Sequence, residues 1–196
     1  MTYLIAMDPS YTRTGICIIK DKSIYFETAS CKIGEKQFEN VVHAAQNIVK
    51  QLKEIFAKYG DDYTLVHEGP LPTSSMSAAL YSLDSLIYNE FESHIAKTYN
   101  PATLRSRIHG HKYDKSDSQK LAEKYLKTLQ EKEYIVLFAM GTKKKLVHDC
   151  AEAFLYAHLY LKESGHPDFQ FDNADEIAAY KQRVKELKKR EKELLR

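Results

Sequence analysis

Tyr3 to Met7 is almost continuously apolar, the pattern of a strand buried on both faces. Pro9 and Ser10 turn the chain, and Thr14 to Ile19 and Ser23 to Thr28 follow as two more strands joined through Asp21-Lys22. Three strands with such short connections predict an antiparallel meander. Val41, Ala45, Ile48, Leu52, Ile55 and Phe56 then recur at spacings of three and four, which predicts a helix over roughly 35–59 that Gly60 ends. Tyr63 to His67 is a fourth strand, broken at once by Gly69, Pro70 and Pro72. A helix capped by Ser74 or Ser75 carries Met76, Leu80, Leu83, Ile87, Phe91 and Ile95 on one face. Tyr99-Asn100-Pro101 suggests a short fifth strand and a turn. Asp114 or Ser116 caps a helix reaching about Gln130, Tyr134 to Phe138 has strand composition, and Leu146 to Leu161 is helical. Past Gly165 and Pro167, Ile177, Tyr180, Val184, Leu187 and Leu194 keep helical spacing.

Composition changes this picture in one place. The 196 residues carry a formal net charge of +2, but 181–196 hold eight basic residues and three acids, so the tail is +5 and the rest −3. The tail reads as a basic helix on the protein or on DNA, or as a coiled coil too short for three heptads. Three cysteines, Cys17, Cys31 and Cys150, lack paired spacing and sit among apolar neighbours, as reduced thiols in a reducing compartment do. The N-terminus does not have the form of a signal peptide, and no apolar run approaches a membrane span.

The chemistry lies in acids at structured positions. Asp8 ends the first strand and Glu68 the fourth, and a carboxylate there is costly to desolvate unless paired. Alone, Asp8 is as well explained by capping its turn as by holding a metal. Asp149 and Glu152, three apart on the late helix, share a face and repel unless a cation neutralises them. That pair by itself suits a solvated helix face. Two strand-end acids and a helical pair converging on one sheet change the balance, and four oxygen ligands suit Mg²⁺ or Mn²⁺ rather than zinc. His148 offers an alternative to Asp149 as ligand.

The order and spacing of these residues resemble the RuvC family of Holliday junction resolvases. Asp8-Pro-Ser-Tyr-Thr-Arg-Thr-Gly15 is similar to that family's first motif, Glu68 to its second acid, and Asp149-Cys-Ala-Glu152-Ala153 to its late Asp-x-x-Asp-Ala helix. Asn100 to Arg105 and Gly110 to Lys115 resemble its basic segment, and the likeness spans about residues 3–162. Glu152 stands where the family usually has Asp, and no base-stacking aromatic follows Glu68. These departures and the tail resemble a bacteriophage member more than the cellular enzyme, implying the cytoplasm, a host's if phage-encoded.

The resemblance implies an α/β, RNase H-like fold: a five-stranded mixed sheet, three strands antiparallel and the rest parallel, flanked by helices and followed by a C-terminal basic helix. It divides the chain into a nuclease domain, 1–165, and a linker and tail, 166–196. It implies symmetric cleavage of a four-way junction by a homodimer, two Mg²⁺ (or Mn²⁺) ions per site held by Asp8, Glu68, Asp149 and Glu152, and Lys115 steadying the phosphate. The helix at Met76 to Ile95 is the implied dimer contact. Arg105, Arg107, Lys112, Lys115, Lys143, Lys144 and Lys145, with Ser74 and Ser75 at a helix start, make the candidate DNA face. The Lys143–Lys145 run is equally a solvated loop. Rival expectations are a broader branched-DNA or flap nuclease and a junction binder without catalysis. An actin-like ATPase needs a second such domain and a second Asp-Gly loop.

Overall fold

The predicted meander forms: β1 (Tyr3–Asp8), β2 (Arg13–Lys20) and β3 (Ser23–Ser30) pair antiparallel in sequence, with Lys20 opposite Ser23 across a two-residue turn. Asp21 takes the left-handed φ of 50° that such a turn requires. This computed structural model describes residues 2–31, 37–70, 77–109, 115–138 and 146–172, with 174, 175, 178 and 182. Ser74, Ser75, Lys112, Lys143, Lys144 and Lys145, and nearly all of the basic tail helix, lie outside the described residues.

The sheet continues on both sides of the meander. β4 (Tyr63–Glu68) runs parallel to β1, β5 (Ile95–Tyr99) parallel to β4, and β6 (Ile135–Phe138) parallel to β3. The order is β5-β4-β1-β2-β3-β6, one strand more than the five expected, because the Ile135–Phe138 segment adds to the open edge of β3. Its exposed Ile135 and Leu137 explain why an apolar count alone did not say where it would pair.

Side-chain alternation splits the core into two layers. Leu4, Ala6, Cys17, Ile19, Phe26 and Val66 face α4 (Lys115–Glu131) and α5 (His148–Glu163). Ile5, Met7, Ile16, Ile18 and Leu65 face α1 (Gln37–Phe56) and α2 (Ser77–Phe91). Helices therefore cover both faces, which is why β1 shows no apolar-polar alternation. The helical face expected to reach Ile95 stops at Phe91; a 3₁₀ turn, Glu92–His94, intervenes and Ile95 opens β5. Asn100 then caps a one-turn helix, α3 (Pro101–Thr103), its side chain accepting from the Ala102 N–H at 2.8 Å, and a π-helical turn follows over Leu104–His109. Past α5, Phe169 is fully buried in the α4/α5 layer. Among the described residues no helix is long and apolar enough to cross a membrane.

Candidate active site

Asp8 and Glu68 end neighbouring parallel strands, and the register Met7↔His67 sets them side by side. Both continue the even-numbered face of their strands, the face of Leu4, Ala6 and Val66, so both carboxylates point toward α5. The turn after Asp8 closes without it: Thr14, fully buried, donates its hydroxyl to Ser10 O (2.9 Å) and accepts from Ser10 N–H (3.1 Å). Asp8 is thereby released from the capping role its position also suggested.

Gly15, opposite Asp8 in the β1–β2 ladder, lets α5 reach these acids. A Cβ on Gly15 would stand 2.1 Å from the carbonyl carbon of Asp149 and 2.5 Å from Cys150 N, so only glycine admits the first turn of α5 here. The close approach is to this helix backbone. That contact brings His148, Asp149 and Glu152 over the ends of β1 and β4. With Asp8, Ser10, Glu68 and Asp84 they line a cavity of about 400 Å³.

Ligand oxygens of Asp8, Glu68 and Glu152 lie within 4.8 Å of one another. The electrostatic consequence falls on Asp8, whose carboxyl is pushed well above the ordinary carboxylate range. Burial contributes most, then the charges of Glu68 and Glu152, and a hydrogen bond to Glu68 also favours the protonated form. Glu152 is buried and held at both oxygens: Ser118 of α4 donates to Oε1 at 3.2 Å, and His148 Nε2 stands 3.2 Å from Oε2. Asp149 lies on the cavity wall, outside that 4.8 Å trio, and its Oδ2 accepts from Arg13 Nε.

Beneath Glu68, His67 is buried, its Nδ1 2.9 Å from Glu68 O and its Nε2 3.1 Å from Thr98 Oγ1. Burial holds this imidazole below its ordinary value. Asp84 of α2 lies 3.7 Å from His67 Nδ1 and lines the same cavity, its pKa raised by burial against the pull of His67.

The four acids expected from sequence thus share one cavity wall, with His148 among them. The basic candidates are less gathered. Lys115 opens α4 three residues before Ser118, which sets the start of that helix near Glu152; the structure describes only the backbone at Lys115 and Arg105. Arg107 pairs with Glu163 at the other end of α5. At 1.5 Å per residue, eleven residues separate it from Glu152 by about 16 Å along the helix. Sequence reasoning gave Arg13 no role beyond its place in the first motif and missed Ser118 and Asp84. Only knowledge of which elements pack together marks a serine on α4 or an aspartate on α2 as neighbours of these acids.

No family model and no curated protein matches the chain. Among solved structures it is similar to T. thermophilus RuvC in complex with a Holliday junction substrate, with a TM-score of 0.54 and 11% identity over 84% of this chain and 97% of that one. It is also similar to the human cytomegalovirus terminase nuclease domain, with a TM-score of 0.42 and 14% identity over 80% of this chain and 75% of that one. The chain has an RNase H-like fold, shared with that RuvC structure.

Proposed function

We propose that this protein is a metal-dependent endonuclease that cuts branched DNA, with the four-way junction as its first substrate. The observation that carries the reading is the convergence of Asp8, Glu68 and Glu152, from two strand ends and a helix, in the fold of a junction-bound relative. The donor set fits a hard divalent cation: it is all oxygen, and the mutual repulsion that adds to burial in suppressing the acidity of Asp8 is what such a cation relieves. Mg²⁺ or Mn²⁺ would be held by Asp8, Glu68 and Glu152, with Asp149 or His148 completing a second site. Bound there, the ions would supply Lewis-acid stabilisation of charge developing on the phosphate.

The chain's own groups have defined parts. Asp8, kept hard to ionise by burial and by its acidic neighbours, would have to lose its proton to serve as a ligand. Ser118 and His148 fix the orientation of Glu152 from two sides. The α4 start would present Lys115 to the phosphate, while Arg105, Lys112, Lys143–Lys145, Ser74 and Ser75 would hold backbone elsewhere. Symmetric cleavage of a four-way junction calls for two sites related by a twofold axis, hence a homodimer.

The test is cleavage of end-labelled four-way, three-way, flap and linear duplex DNA with Mg²⁺ or Mn²⁺. Symmetric nicks in the four-way substrate alone are expected, and equal cutting of flaps and forks replaces junction selectivity with a broad debranching role. Asp8→Asn should bind the junction and not cut it. Retained cleavage would sink the site assignment.

A further inference from the structure

Arg13 holds Asp149 of this site, and the proposed function gives its guanidinium no part. It opens β2 opposite Ser30, and Cys31 N–H donates to Thr12 O at 3.0 Å beside it, so its backbone is pinned on both sides. Its Nε donates to Asp149 Oδ2. Among the described residues its terminal nitrogens make no hydrogen bond, leaving four N–H donors uncommitted. The Arg13 side chain is 48% exposed, whereas Asp149 is 13% exposed, so the guanidinium stands outward of the acid that holds it.

An exposed ion pair of this kind adds little stability. The cavity behind it supplies a stronger reason. Its wall carries five carboxylates, Asp8, Glu68, Asp84, Asp149 and Glu152, and among the described residues no lysine or arginine. In the metal-free protein a phosphodiester approaching that wall is repelled, and a cation at the entrance offsets that repulsion. A guanidinium is the group whose fork matches two phosphate oxygens, and one N–H anchored to a carboxylate loses less freedom on binding.

We propose that Arg13, aimed by Asp149, binds a DNA phosphate at the rim of the carboxylate cavity and sets the register of the strand entering it. This assignment rests on the reading of the chain as a branched-DNA nuclease. Asp149 is on this account a positioning residue as well as a candidate ligand.

Junction binding is measured by fluorescence anisotropy in EDTA, so that affinity is read without cleavage, across a salt series. Arg13→Gln should weaken binding about tenfold and lower the log–log salt slope by about one. Arg13→Lys should keep the slope and recover part of the affinity. The deciding variant is Arg13→Gln with Asp149→Asn, which restores the net charge of the pair. If Arg13 grips a phosphate, the double variant stays about tenfold weak with the lower slope. If Arg13 only neutralises Asp149, the double variant binds like wild type, and the assignment is overturned. Wild-type protein that binds no branched DNA overturns the functional reading and this one with it; normal binding with an unaltered slope in Arg13→Gln overturns this one alone.

Discussion

In the metal-free protein, Asp8 should be more useful to stability as an amide than as an acid. Its oxygens lie within 4.8 Å of those of Glu68 and Glu152. At an effective dielectric constant of about 20, each like-charge pair at that distance costs about 3.5 kcal/mol. Burial first, and then these two repulsions, make ionisation costlier than holding a proton, so the Asp8 carboxyl is driven well above its ordinary 3.8. Proton retention also sets a ceiling. A carboxyl kept neutral above 3.8 costs about 1.4 kcal/mol per pH unit, or roughly 4 kcal/mol at pH 7. Asp8→Asn removes the charge at nearly constant volume and keeps an N–H donor toward Glu68. Recovering half the ceiling, about 2 kcal/mol, would raise Tm by roughly 4–8 °C in a chain of this length.

The sign follows from linkage. The raised folded-state pKa means that the native protein binds more protons than the unfolded chain between 3.8 and the raised value, so metal-free stability falls as pH climbs through that window. The advantage of Asp8→Asn should therefore vanish below about pH 4 and grow toward neutrality. Thermal unfolding in EDTA from pH 4 to 8 reads this directly. Saturating Mg²⁺ should reverse the order, because wild type gains about 2.7 kcal/mol at a hundredfold excess over Kd and the variant gains less. An Asp8→Asn protein no more stable than wild type in EDTA at pH 7.5 would refute the electrostatic account of the site.

Three further outcomes are expected. Gly15→Ala forces a methyl to within 2.1 Å of the Asp149 carbonyl carbon, so denaturant unfolding should show a loss of about 3 kcal/mol or more, with cleavage falling together with stability. Ser118→Ala removes a donor from buried Glu152 and should cost about 1 kcal/mol in EDTA, with a weaker apparent Mg²⁺ affinity by calorimetry. His158, buried among Tyr125, Phe154, Phe169 and Phe171, has its pKa lowered to about 4, first by burial and then by Lys162. The unfolded chain then binds the extra proton between about 6.5 and 4, and wild type should lose up to roughly 3 kcal/mol over that fall in pH. His158→Phe should remove that part of the acid sensitivity, and an unchanged pH profile would refute it.

How far these elements could be read in advance depended on where the information lay. Each strand of the meander is marked by its own residues, and the strand-end acids Asp8 and Glu68 fall at the boundaries of apolar runs. Their shared face is also implicit, since both sit an even number of residues from inward-facing Ala6 and Val66. The α2 boundary was harder: Ile95 fits the helical spacing after Phe91, and only pairing with Leu65 shows it to be strand. The Ile135–Phe138 segment was readable as strand but not as a neighbour of β3, because pairing depends on an edge far away in sequence. Arg13 and Asp149 are separated by 136 positions, and no local pattern joins them. Spacing alone suggested that Asp149 and Glu152 act alike, whereas the structure gives one to an arginine and the other to a serine and a histidine.

The meeting of Gly15 with the first turn of α5 also governs how variation can spread through this protein. Most packing in the α4/α5 layer is side chain on side chain, where one residue can shrink as another grows. At Gly15 main chain faces main chain, and no rotamer change elsewhere compensates for an added atom. The contact works as a mechanical stop, setting the height of α5 over the sheet whatever the identity of the surrounding core residues. Sequences could therefore drift widely around Phe154 or Leu155 while the acids of α5 stay in range of Asp8. The spacing of the carboxylates is inherited through one missing methyl group rather than through the core as a whole.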